Sequence, residues 1–205
     1  LMHAATAAGR ILDARLTPDW DYVRGEATAA YTGAVTRAER AVLFIKPDLV
    51  VLYDDFAAPA PATFQFMLHG LSAFTLDEAA QTLRLTQKNA SLAVRYFAPQ
   101  PLAFTQTDGF TPPPKMRNKR SPFPNQWHVE AAMRRPVTAS DTLTLLIPAR
   151  VGKEEPWQAE RVDSPTASGL RFTRGGKTLH IAFRKHGVDA AEWDGVAFDG
   201  PVAVR

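Results

Sequence analysis

Strict alternation of apolar and polar residues, broken at short intervals by Pro, Gly, Asn or Asp, constrains this chain more than any other feature. The clearest case runs from Gly169 to Arg184 around Gly175-Gly176. Two central glycines permit the positive φ angles that a two-residue type I′ turn needs. Such a turn pairs Arg174 with Lys177, Phe172 with Leu179 and Leu170 with Ile181, and sets His180 opposite Arg171 on a polar face. All the large apolar pairs then share one side, so the register is self-consistent.

The same grammar recurs upstream. Arg40 to Ile45 and Leu49 to Phe56 flank Lys46-Pro47-Asp48 and read as an antiparallel hairpin. Pairing Ile45 with Leu49 places Arg40 opposite Asp54, and a slip of one residue places it opposite Asp55. Either register gives a cross-strand ion pair with a structural role, drawn from Arg40, Asp54 and Asp55. Adjacent strand residues point to opposite faces, so the two aspartates are not expected to share a proton.

Phe64, Phe66 and Leu68 alternate with polar neighbours and Met67. Leu83 to Leu85 and Leu92 to Val94 form a further hairpin through Lys88-Asn89, with Gln87 opposite Ala90. Trp127, Val129, Ala131 and Met133 alternate with His128 and Glu130. Leu143, Leu145 and Ile147 alternate with threonines, Leu146 being the exception. The stretch Leu76 to Thr82 reads as a single helical turn, and nothing longer is helical.

Roughly twelve strands spaced by turns predict an all-β fold, an antiparallel two-sheet β-sandwich built as one domain over residues 1–205. Hydrophobic residues make up 45% and charged residues 22%, enough apolar material for a core and too little charge for a disordered chain. With no cysteine, disulfides, thiolate nucleophiles and sulfur-ligated zinc are excluded. No apolar run approaches the roughly 18 residues of a membrane span, so no membrane partner is expected. A net charge of +3 is too slight to suggest nucleic acid. No basic stretch followed by an apolar segment marks a signal peptide, and a leading Leu suggests an excised piece or a processed product.

Motifs for nucleotides, zinc proteases and serine hydrolases (GxGxxG, GxxxxGK, HExxH, GxSxG) do not occur. The five histidines show no metal-ligand spacing, so neither metal nor cofactor is expected. His128 and Glu130 share a strand face, and a proton-transfer role would require His128 to point into a cleft. His69 ends a strand, as a satisfied histidine or one near a groove. The segment from Thr111 to Asn125 carries five prolines with Lys115, Arg117, Lys119 and Arg120. Four cations in six residues, followed by Phe123, Trp127 and His128, suit an anionic polysaccharide, with carboxylates or sulfates on the cations and a sugar ring on an aromatic. The plainer reading is a solvated connection. Trp20, Tyr22, Trp157 and Trp193 are further sugar platforms, although large aromatics serve cores first.

Tyr31 to Gly70, YTGAVTRAERAVLFIKPDLVVLYDDFAAPAPATFQFMLHG, resembles the C-terminal β-sandwich of heparinase II/III-like polysaccharide lyases. The matching residues are Gly25-Glu26-Ala27 with Tyr31, Arg37 and Arg40, Pro47-Asp48, Asp54 or Asp55, and Leu68-His69. The hairpin at Leu83 to Val94 and the strand at Thr142 to Arg150 extend the match over most of the chain. The resemblance implies a supersandwich-like domain packed on an N-terminal α/α toroid in an exported, periplasmic or secreted enzyme that cleaves uronic-acid polysaccharides by β-elimination. That reaction asks for a Tyr or His base and for neutralisation of the uronate carboxylate. The family's early motifs (a histidine and aspartate stretch, D.G.Y and a HN pair) are not matched here. No catalytic or metal-binding residue is therefore carried over, and the chain alone is expected to be inactive. A non-catalytic carbohydrate-binding module and a structural or protein-docking domain are the alternative readings.

Overall fold

The computed structural model describes residues 8–109 and 125–205. In chain order the first strands are β1 (Arg10–Leu16), β2 (Trp20–Glu26), β3 (Arg37–Ile45), β4 (Leu49–Ala62), β5 (Gln65–Gly70) and β6 (Phe74–Asp77). Next come β7 (Thr82–Gln87), β8 (Ala90–Phe97), β9 (Leu102–Asp108), β10 (Trp127–Met133) and β11 (Val137–Arg150). The last are β12 (Trp157–Asp163), β13 (Ala167–Arg174), β14 (Lys177–Arg184), β15 (Ala191–Trp193), β16 (Val196–Phe198) and β17 (Val202–Val204).

An eight-stranded sheet in the order β1-β2-β3-β4-β11-β8-β7-β6 is the centre of the molecule. A three-stranded sheet (β5-β10-β9), a four-stranded sheet (β12-β13-β14-β17) and the β15-β16 hairpin complete it, and every described pairing is antiparallel. The sandwich expectation holds. The described strands number seventeen rather than roughly twelve, partly because β15, β16 and β17, at three residues each, are too short for alternation to reveal.

The hairpin registers follow the turn chemistry. Arg174 pairs with Lys177 and Leu170 with Ile181, and Gly175 and Gly176 both take positive φ. Ile45 pairs with Leu49, so Arg40 faces Asp54, and Leu83 faces Val94. Leu76 lies in strand β6, not in a helical turn, because Leu76 pairs with Leu83 and Phe74 with Leu85. The described helix is instead a 3-10 turn at Thr28–Tyr31.

The central sheet is apolar on both faces. Leu43, Val51, Leu143 and Leu145 meet Leu170, Phe172, Ile181 and Phe183 of the four-stranded sheet in one core. Leu83, Val94 and Tyr96 meet Phe66, Leu102, Val129 and Ala131 of the three-stranded sheet in a second. Alternate residues of one strand feed the two cores, which explains Leu146: Leu145 belongs to the first and Leu146 packs on the second. A small third core seats Trp193 on Ala167 and Ala182, on the far side of the four-stranded sheet. Gly169 makes that seating possible, since a Cβ there would lie 2.3 Å from the Trp193 ring.

Candidate functional site

The three-stranded sheet does not cover the whole of its side of the central sheet. Val23, Val42 and Leu52 align across β2, β3 and β4, and Phe44 pairs with Val50. All five are only half-buried and belong to none of the three cores. A cluster of this kind on one sheet face is an apolar patch without a partner among the described residues. Beside it lies a groove of about 600 Å³ bounded by Val23, Val42 and Phe56, by Gln65 and Met67 of β5, and by Tyr31 and Arg40.

Arg40 is held over this groove by the strand pairing foreseen in the sequence. Its Nε donates to Asp54 Oδ1 at 2.5 Å and its Nη2 to Oδ2 at 2.9 Å. Asp54 is 1% exposed and Arg40 50%, so the carboxylate is inside and the guanidinium is half in water. Burial pushes the Asp54 carboxyl above its ordinary value, against the pull of Arg40. The hydrogen bond to Asp54 in turn raises the Arg40 guanidinium. Asp55 points the other way and accepts from Arg37 Nε at 2.8 Å, so each aspartate has its own arginine. Its carboxyl too is raised, chiefly by burial.

Asp55 borders a second cleft of about 430 Å³ with Tyr53, Asp141, Lys185 and His186. Asp141 is paired with Arg161 at 3.0 Å and accepts from the Ser168 hydroxyl at 2.6 Å. The buried Glu39 beside it engages Arg24 and lies 3.2 Å from His186 Nδ1. The Tyr53 hydroxyl is buried, and no residue among those described meets it with good hydrogen-bond geometry. Burial drives the Tyr53 and Tyr96 phenols upward, and takes Tyr22 to about 12. A general base works best with a pKa near the operating pH, so these phenols are shifted away from proton abstraction. The carboxylates of both clefts already serve as partners to arginines.

The sugar-binding residues expected from the sequence fall in different places. Lys115, Arg117, Lys119 and Arg120 lie outside the described residues. Trp127 is half-buried and packs on the second core. His128 sits on the opposite face of β10, beside His69 of β5, with ring centroids 4.3 Å apart and edge to face. Glu130 Oε1 accepts from Gln65 Nε2 at 2.7 Å. Trp193 is core, and Trp20 and Trp157 pack on the first core. Among the described residues no three His, Asp or Glu side chains are grouped to hold a metal. Sequence reading missed the apolar patch, because its five residues satisfy the same alternation that marks a core.

No family model matches this sequence, and no curated protein does. Solved structures do match. A heparinase III aligns over 86% of this chain with a TM-score of 0.68 and 11% identity, and a second heparinase III over 87% with 0.66 and 15%. A heparan sulfate lyase from Pedobacter heparinus aligns over 88% with a TM-score of 0.64 and 14% identity. At such identities the likeness is one of fold, and it agrees with the resemblance carried by Gly25 to His69. The matched region is 28%, 27% and 29% of those chains, so this chain spans less than a third of their length.

Proposed function

We propose that residues 1–205 are the C-terminal β-sandwich domain of a heparinase III-like lyase acting on uronic-acid polysaccharides by β-elimination, and that this domain supports the catalytic part without being catalytic alone. The observation that carries the reading is the uncovered apolar face of Val23, Val42, Phe44, Val50 and Leu52 on a fold whose structural neighbours are more than three times longer. Its occupant is the remainder of the parent polypeptide, an N-terminal helical toroid. Burying half-exposed aliphatic side chains is worth about 25 cal/mol per Å² of apolar surface, so a face this wide favours firm association. The adjoining groove with Arg40 and Tyr31 then borders the junction, where a cation suits an anionic glycan. Such an enzyme works outside the cytoplasm, in the periplasm or beyond.

Two measurements test the reading. The chain alone, mixed with heparan sulfate or alginate, should give no rise in the ultraviolet absorbance of unsaturated uronate. Any enzyme-dependent rise refutes the non-catalytic assignment. Supplied with the upstream part of its parent protein, the chain should co-elute on gel filtration, and Val42→Asp with Leu52→Asp should abolish that complex. Co-elution that survives both substitutions would move the docking face elsewhere.

A further inference from the structure

On the other side of the central sheet the seam between β8 and the edge strand β12 stays open. Arginines span it: Arg95 Nη1 donates to the Ala159 carbonyl at 3.3 Å, and Arg161 Nη1 donates to the Phe97 carbonyl at 2.7 Å. Trp157, at the start of β12, lines two hollows along this seam, one of about 570 Å³ with Arg95 and one of about 170 Å³ with Arg150 and Lys153. One side of Trp157 is occupied by Phe172, with ring centroids 6.1 Å apart and planes inclined by 29°. The ring is half-buried, so it is a fixed surface and not a swinging one.

The charges beside it are unequal. Arg84, Arg171 and Arg174 along the seam are matched by Glu154, Glu160 and Asp48 respectively. No carboxylate among the described residues pairs with Arg95, Arg150 or Lys153. One acid of the seam, Glu155, is in no ion pair among the described residues. The Arg95 guanidinium is held 4.8 Å over the Phe97 ring, which fixes its direction while leaving donors unused. An aromatic surface with unmatched cations on both sides is complementary to a chain of sugar rings bearing carboxylates or sulfates at intervals.

We propose that this seam binds an anionic polysaccharide, with one sugar ring against Trp157, one acidic group at Arg95 and the next at Arg150 and Lys153. The site lies on the side of the central sheet facing away from the docking patch, so it holds glycan apart from the junction with the catalytic part. The choice of ligand class rests on the lyase-domain reading. The geometry of the site does not.

Isothermal titration of the chain with heparin and alginate oligosaccharides, and with neutral dextran, tests it. Arg95→Gln, and Arg150→Gln with Lys153→Gln, should each weaken binding of the acidic oligosaccharides about tenfold, the loss expected for one charge-assisted contact. Trp157→Phe keeps an aromatic ring in the core and should remove the change in tryptophan fluorescence that accompanies binding. Arg134→Gln, in the turn after β10, should change nothing. Equal weakening by Arg134→Gln, binding of dextran as tight as that of the acidic chains, or full affinity in the seam variants would overturn the proposal. Co-elution with the upstream polypeptide is a separate readout, so loss of either result leaves the other interpretable.

Discussion

Replacing Arg40 by Leu removes both hydrogen bonds to a carboxylate that is 1% exposed and accepts from no other described residue. Asp54 must then stay ionised without a partner or take up a proton. The second course sets a ceiling. Protonating a carboxylate of ordinary pKa costs about 4 kcal/mol at pH 7 and about 1.5 kcal/mol at pH 5. Arg40→Leu should therefore lower the unfolding free energy by about 3–4 kcal/mol at pH 7, within the range for breaking a buried pair. The sign of the pH dependence follows from burial. A carboxyl whose pKa is raised on folding binds its proton more tightly in the folded state, so acidification favours folding through that group. Removing Arg40 raises it further, and the deficit should shrink by more than half on going from pH 7 to pH 5. Asp54→Asn behaves differently, because Arg40 is 50% exposed and can turn to water. It should cost about 1–2 kcal/mol with little pH dependence, and the double variant should resemble it. Urea unfolding followed by circular dichroism at the two pH values measures all of this. An Arg40→Leu deficit no larger than that of Asp54→Asn, or one that grows on acidification, refutes the reasoning.

Gly169→Ala drives a methyl group into the Trp193 ring, so the β15-β16 hairpin should loosen at a cost of roughly 1–3 kcal/mol, with a red-shifted tryptophan emission; an unshifted spectrum would show that the ring is not seated as described. Leu145→Ala should cost about 2–5 kcal/mol in thermal or urea unfolding and Leu146→Ala about 1–2 kcal/mol. A neutral Leu146→Ala would contradict a central sheet packed on both faces. Changing Lys115, Arg117, Lys119 and Arg120 together to Gln should weaken and flatten the salt dependence of heparin binding; an unaltered salt profile would remove that segment from the glycan-binding surface.

What the residues disclosed depended on distance along the chain. Tight hairpins were readable, because a two-residue turn fixes its own register and Arg40 must then meet Asp54 or Asp55. Pairings across long separations were not. Strand β4 lies against β11 and β5 against β10, and alternation carries no label for the partner. The same limit applies to the sites. Asp54 and its arginine are neighbours in one hairpin, whereas Arg95 and Trp157 come together only through the packing of two sheets. Trp127 was placed on the correct strand, but its burial depends on β5 and β9, which flank β10. Leu146 breaks the alternation because its sheet is covered on both faces, which a single strand does not announce.

Strand β11 places Leu145 in one interior and Leu146 in the other, a single peptide unit apart. A change of volume at either leucine moves the backbone that carries its neighbour, so the halves of this molecule are mechanically joined. Energetic effects of substitutions in opposite halves should then fail to add, even between side chains that never touch. An insult to one half would be felt by surfaces on the far side, including whatever they hold.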